Sequence, residues 1–238
     1  MKPFSIVIPV YNEELILETS IARLINELAH RNLKNYEIVI SENGSTDNTN
    51  VIIKRLKRTY DNIRDIHLPK ADFGESICQG IYTVSHERVV VVNADWWDVN
   101  FINESLQLVE KYPLVIGSKH LVKTLDRRPL RRKFASRFLT YLLQKIWGFR
   151  GTDTHGLKTF QSRRAIIPIL KRCVTKEIIE SELAIRVQRQ GLSIIEIPVS
   201  IEEIRPARKS LVRRGLRVIK ELVTLYKDLR IPHAAPRR

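Results

Sequence analysis

The stretch Arg88–Asn100, RVVVVNADWWDVN, sets three oxygen-bearing side chains, Asn93, Asp95 and Asp98, directly behind an unbroken apolar run. Carboxylate and amide oxygens at this spacing suit a hard cation such as Mg2+ or Mn2+, which takes oxygen ligands and commonly bridges to substrate phosphates. Val89–Val92 is β-branched and apolar throughout, as a strand covered on both faces requires. Ligands of open α/β sheets gather at the carboxyl ends of strands. The cluster is therefore the first candidate for a metal–nucleotide site. A polar turn in which Asp95 caps a backbone amine is the competing reading.

The chain that must position this cluster has 238 residues, enough for one substantial α/β domain. Phe4–Val10, Tyr36–Ile40, Ile63–Leu68 and Val89–Val92 read as strands. Between them, helical spacing begins at Glu14, with Asn12 as its N-cap. It recurs through Ile52, Ile53 and Leu56, and again over Phe73–Val84. This alternation predicts a mostly parallel sheet flanked by helices. Farther on, Ile102–Lys111 reads as a helix, Leu114–Lys119 as a strand and Lys123–Lys133 as a basic loop. A helix over Phe134–Phe149 follows, then a polar turn into a strand over Asp153–Phe160. Glu177–Arg189 reads as a helix, Ile194–Val199 as a strand and Ser210–Arg230 as an amphipathic helix. The tail, Ile231–Arg238, has two prolines and is expected to be disordered.

Several classes drop out. No Gly-x-Gly-x-x-Gly follows the first strand and no Gly-Lys-Ser/Thr loop is present, against a dinucleotide fold or a phosphate-loop NTPase. No Ser-His-Asp signature, His-Glu-x-x-His motif or internal repeat is found. No apolar run approaches the roughly 20 residues that span a bilayer, and MKPFSIVIPV lacks the parts of a signal peptide. Cys78 and Cys173 form no metal-spacing motif and fit a reducing cytoplasm.

Charge is unevenly placed. Residues 1–119 carry 13 Lys+Arg against 16 Asp+Glu, whereas residues 120–238 carry 28 against 10. An excess on that scale implies an anionic partner, either nucleic acid or a phospholipid surface. Nothing resembles a helix-turn-helix or an RNA-binding aromatic platform, so no nucleic acid is expected. The helices over 134–149 and 210–230 mix basic, aromatic and aliphatic residues. They suit either an anionic membrane surface or packing on the core.

SIVIPVYNEE, EIVISENGSTDNT and the strand ending NADWWD resemble the family 2 glycosyltransferases with a GT-A fold. VIGSKH, RKFASR, WGFRGTDTHGLKTF, ESELAIRVQRQG and IIEIPV follow in the family's order, from about Phe4 to about Ser210. They narrow the resemblance to the dolichol-phosphate mannose synthase branch, which acts on polyprenyl phosphates. The resemblance implies a Rossmann-like GT-A domain over residues 1–210, with a nucleotide-sugar half to about 119 and an acceptor half beyond it. The basic amphipathic helix 211–230 follows.

Residue by residue, the resemblance puts Pro9, Tyr11 and Glu13 at the base and ribose, and Glu42 at the base edge. Lys70 and Gly74 fall in the segment closing the nucleotide pocket, and Arg205 near the donor diphosphate. Asp95 matches the second Asp of the Asp-x-Asp metal motif. Asn93, a weaker ligand, replaces the first, and Asp98 is a compensating candidate. Trp97 stands where the branch often has a polar ligand. Lys119, Arg132 and Ser136 match acceptor-phosphate ligands, and Asp153 an acidic residue that orients acceptor or sugar. Lys119 replaces an arginine and so exchanges a bidentate fork for a point charge.

What this implies is inverting transfer of mannose or glucose from GDP-mannose or UDP-glucose to a polyprenyl phosphate, with Mg2+ or Mn2+. The enzyme is expected in the cytoplasm, peripherally bound to the membrane, with homo-oligomerisation left open. Two alternatives stand beside it. One is a family 2 transferase with a soluble or polysaccharide hydroxyl acceptor. The other is a degenerate, non-catalytic nucleotide-binding protein.

Overall fold

A computed structural model describes residues 2–122, 126, 129–201 and 211–230 of the chain. The first half alternates strand and helix. It comprises β1 (Phe4–Val10), α1 (Leu17–His30), β2 (Tyr36–Asn43), α2 (Thr49–Thr59), β3 (Ile63–Leu68), α3 (Phe73–Thr83), β4 (Arg88–Val91) and α4 (Val99–Leu108). The second half adds β5 (Leu114–Ser118), α5 (Leu130–Trp147), β6 (Lys158–Phe160), α6 (Arg163–Leu170), α7 (Ile179–Arg189), β7 (Ile194–Pro198) and α8 (Leu211–Arg230).

The strands form one sheet in the order β3-β2-β1-β4-β6-β5-β7. β1 to β4 pair in parallel, and β5 pairs in parallel with β7. β6 alone runs antiparallel, wedged between β4 and β5. Because β6 is reversed, the loop entering it arrives at the edge where β4 and β5 end. That reversal brings the second half of the chain to the NADWWD loop.

Alternation at period two sorts the strand residues between two cores. Phe4, Ile6, Ile8, Val10, Val90 and Val92 face one core, with α1, α2 and α4. Val7, Val39, Val89 and Val91 face the other, with α3 and α5 to α8. The second interface is tight at Gly80, where an added Cβ would lie 2.4 Å from Val7 Cγ1. Overpacking of this kind costs about 1–3 kcal/mol. Gly80→Ala is expected to lower the urea midpoint accordingly, and Val7→Ala in the same chain to recover part of the loss.

Several elements differ from the sequence expectation. Asn12 does not cap α1. It sits at φ 54°, and the helix starts at Leu17 with no side-chain cap. α4 starts earlier than expected because Asp98 Oδ1 accepts the amides of Asn100 at 2.8 Å and Phe101 at 3.2 Å. α5 begins at Leu130, inside the segment read as a basic loop. α6, which holds Pro168, was not foreseen; Ser162 caps it through the Ala165 amide. The tail 231–238 lies outside the described residues.

The two basic helices each have a buried and an exposed side. Leu143 and Trp147 anchor α5, while Leu130, Phe134, Phe138 and Tyr141 are 82%, 73%, 52% and 52% exposed. Their spacing of three and four residues puts these four on one stripe, where the Phe134 and Phe138 rings stack at 6.3 Å. In α8, Leu222 and Leu225 are buried, whereas Leu216, Ile219 and Val223 are exposed. Polar contacts seat α8 as well. Glu221 accepts the amides of Lys176, Glu177 and Ile178, and Arg186 bridges Glu182 and Asp228. No helix among the described residues is long and apolar enough to cross a membrane.

Candidate active site

Three loops meet at the carboxyl edge of β1, β2 and β4. Register sets Pro9 beside Ser41 and Val10 beside Glu42. Asn12 N–H donates to Ser45 Oγ at 2.9 Å, and Asn12 Oδ1 accepts the Thr46 amide at 2.7 Å. The side chain first assigned to a helix cap thus laces two loops together, with Tyr11 beside it. Glu13 is buried, and its amide donates to Thr49 Oγ1 at 2.8 Å. Glu42, 2% exposed, accepts the Ser45 amide and lies 3.3 Å from His67 Nδ1.

Segment 70–74 closes on this edge. Asn43 Oδ1 accepts the Asp72 amide at 2.6 Å. Gly44, at φ +67°, comes so near that a Cβ would meet Ala71 N at 2.9 Å. Both the positive φ and the contact require glycine there. Lys70 is exposed on this segment. Gly74 is buried against the backbone of Lys176, where a Cβ would lie 3.0 Å from Lys176 Cα. The Lys176 ammonium in turn pairs with Asp72.

The NADWWD loop is a tight hairpin. Asn93 and Trp96 exchange backbone hydrogen bonds at 3.1 and 3.2 Å, leaving Asp95 at the tip. Ser20 of α1 pins the hairpin by donating to the Ala94 carbonyl at 2.5 Å and accepting from Trp97 Nε1 at 2.8 Å. Trp96 Nε1 donates to the Ser200 carbonyl at 2.9 Å. The structure thus brings Asn93 and Asp95 to one hairpin, while Asp98 is engaged one turn away as the α4 cap.

The loop into β6 completes the edge. Asp153, 1% exposed, receives the Lys119 ammonium and the His155 amide, the latter at 3.0 Å. Lys119, 3% exposed, also donates to the His155 carbonyl at 2.5 Å and lies 6.0 Å from the centre of the Trp96 ring. Burial pushes the Asp153 carboxyl up, but the Lys119 charge and hydrogen bond, with His120 and His155, outweigh it and hold it below the ordinary value. Glu196 of β7 fixes the loop from below, accepting the amides of Thr152 and Asp153 and the Thr152 hydroxyl at 2.8–2.9 Å. Ser136, on α5 with Arg132, lies 2.9 Å from His120 Nε2. Arg205 lies outside the described residues.

Ser20, Trp96, His155 and Glu196 were not singled out from the sequence. The signal that flags Glu196 is a carboxylate inside the otherwise apolar strand IIEIP. Beneath the loop, Lys158 is 2% exposed, with Nζ 3.0 Å from the Gly156 carbonyl and 2.5 Å from Glu180 Oε1. Burial pushes the His155 imidazole down to about 4, with Glu180 opposing the shift and Lys119 adding to it. The unfolded chain therefore binds a proton that the folded chain refuses, from about pH 6.5 down to the folded value. Stability is expected to fall across that window as pH is lowered. His155→Gln is expected to lose less melting temperature than the parent over the same interval.

Comparison with known proteins agrees with this geometry. The profile described as Glycosyl transferase family 2 matches residues 5–170. A dolichyl-phosphate beta-glucosyltransferase of Trichomonas vaginalis is 28% identical over 213 residues, covering 84% of this chain and 66% of its own. The dolichyl-phosphate beta-glucosyltransferase of Saccharomyces cerevisiae is 28% identical, covering 93% of this chain and 73% of its own. The chain thus spans about two thirds to three quarters of the length of these relatives.

Among solved structures, glucosyl-3-phosphoglycerate synthase from Mycobacterium tuberculosis, in complex with Mn2+, UDP and phosphoglyceric acid, aligns at a TM-score of 0.69. It is 20% identical, with 98% of this chain and 80% of that chain covered. A mannosyltransferase from Pyrobaculum calidifontis, in complex with GDP-Man and Mn2+, aligns at 0.66 with 19% identity, over 98% of this chain and 66% of that chain. These structures share the GT-A fold. With the family profile covering most of its length and the fold in agreement, the chain belongs to glycosyl transferase family 2.

Proposed function

We propose that this glycosyltransferase moves a hexose from a nucleotide sugar to a polyprenyl phosphate at a membrane surface, inverting the anomeric carbon. The observation that carries this reading is the buried Lys119–Asp153 pair. An acidic residue held below its ordinary pKa is a poor general base. A hydroxyl acceptor needs such a base, whereas a phosphate acceptor arrives already ionised. Catalysis then rests on alignment and on charge stabilisation of the leaving diphosphate. The acceptor phosphate oxygen forms its bond to the anomeric carbon as the bond to the diphosphate breaks. Arg132 and Ser136 hold that phosphate, Lys119 adds positive charge from its pair, and Asp153 fixes the loop that orients the sugar.

The oxygens of Asn93 and Asp95 fit a divalent cation that arrives with a diphosphate. Among the described residues no group of three acidic, His or Cys ligands forms a stand-alone cage. Mg2+ and Mn2+ are commonly held by one or two carboxylates plus substrate phosphates. When bound, such an ion would neutralise charge on the diphosphate. Asp95 is the charged ligand in this reading and Asn93 the neutral one. On the donor side, Pro9, Tyr11, Glu13 and Glu42 face the nucleoside, with Lys70 and Gly74 closing over it.

The names of the relatives favour glucose as the sugar and a dolichyl-type phosphate as the acceptor. The test is transfer from radiolabelled UDP-glucose, and in parallel GDP-mannose, to dolichyl phosphate with Mn2+. A labelled, chloroform-extractable product from UDP-glucose is expected. Transfer only to water-soluble hydroxyl acceptors would overturn the phosphate reading.

The reading of membrane contact is supported by α5 and α8, whose exposed apolar stripes are flanked by basic residues. Each Lys or Arg near an anionic leaflet contributes on the order of 1 kcal/mol. The protein is expected to float with phosphatidylserine-containing liposomes at low salt. Phe134→Asp with Phe138→Asp should reduce the floating fraction at least about fivefold, since two inserted rings become charged.

A further inference from the structure

His67 of β3 occupies a position that family membership does not assign. The β2–β3 register sets it opposite Glu42. Its Nδ1 lies 3.3 Å from Glu42 Oε2 and its Nε2 lies 2.7 Å from Asp65 Oδ2. Lys57 of α2 pairs with the other oxygen of Asp65. The groups facing the ring are thus two carboxylates, one backed by an ammonium.

A carboxylate oxygen accepts and does not donate. A neutral imidazole has one N–H and one lone pair, so it can satisfy only one of these neighbours. Only the imidazolium donates to both. Burial pushes the Asp65 carboxyl up, but the hydrogen bonds and charges of Lys57 and His67 hold it low, which keeps Asp65 an acceptor. Glu42 is then gripped from two sides, by the Ser45 amide on Oε1 and by His67 on Oε2.

We propose that His67 is a positioning residue for nucleobase recognition: held between Asp65 and Glu42, it fixes the Glu42 carboxylate in the orientation that accepts an N–H of the base. This rests on the reading that Glu42 faces the base of the nucleotide sugar.

Calorimetric titration with UDP-glucose and Mn2+ tests this, with GDP-mannose used instead if that is the sugar nucleotide that binds. His67→Phe is expected to weaken binding about tenfold, which is about 1.4 kcal/mol. Inorganic pyrophosphate with Mn2+, which has no base, should bind parent and variant alike. His67→Gln keeps a donor towards Glu42 and should restore most of the affinity that His67→Phe loses.

His67→Phe with unchanged affinity, an equal loss of pyrophosphate binding, or His67→Gln binding as weakly as His67→Phe would each overturn the proposal. Glu42→Ala separates it from the reading beneath it. If Glu42→Ala binds the nucleotide sugar as tightly as the parent, or no nucleotide sugar binds at all, both fail. If Glu42→Ala weakens binding and His67→Phe does not, the role of His67 fails alone.

Discussion

Lys119→Ala is expected to cost this protein about 3–5 kcal/mol, because it strands the Asp153 carboxylate in a site with 1% exposure. At about 2–4 °C per kcal/mol for a chain of this size, the melting temperature should drop by about 6–20 °C. The sign of its pH dependence is equally diagnostic. In the parent, Asp153 is held low, so the pair's contribution is present above the ordinary Asp value and lost only as pH falls through the lower folded value. In the variant, burial acts on Asp153 without the Lys119 charge and raises its pKa. The folded state then binds the extra proton, and the deficit against the parent should shrink as pH is lowered from 7 towards 5. Lys119→Met with Asp153→Leu removes both charges and should recover most of the stability, while sugar transfer stays lost. A single variant that melts with the parent would show that the pair is not buried as described.

The second large effect is expected at the hairpin tip. Asp95→Ala should lower kcat/KM for sugar transfer by about 100–1000-fold, the range for removing one group that stabilises transition-state charge. Folding should be little affected, since Asp95 sits on a partly exposed loop. The reverse substitution is more informative. Asn93→Asp restores a charged ligand beside Asp95 and should lower the half-saturating Mn2+ concentration about tenfold, because ligand charge tunes divalent-ion affinity. Unchanged turnover in Asp95→Ala would remove the metal role from this hairpin.

The apolar framework was largely legible in advance. Val89–Val92 and the alternating residues of Phe4–Val10 carry their own period, and the strands they predict are central in the sheet. Misreadings occurred where one residue type serves two purposes. Asn12 has the composition of a helix cap, but asparagine also tolerates positive φ, and here it bridges loops. The cap role of Asp98, whose Oδ1 accepts the Asn100 amide, was missed beside its candidacy as a metal ligand. α6, a helix of eight residues with Pro168 inside it, was missed altogether. The site's supports were invisible for a different reason. Ser20, Glu196 and His67 act through partners distant in sequence or across a strand pair, and periodicity carries no information on partners.

The reversed strand β6 also bears on how the chain is made. Until Lys158–Phe160 has been synthesised, the valine run of β4 has a partner in β1 on one side and an open edge on the other. An apolar, β-branched edge without a charge or proline within it is a template for pairing between chains. The nascent first half would carry that hazard for several seconds at ordinary elongation rates of about 5–20 residues per second. Truncations ending between Asn93 and Gly151 should therefore aggregate more readily than the full chain. A strand of three residues would in this way serve as the stopper on a sticky edge, as well as the route by which Asp153 reaches the hairpin.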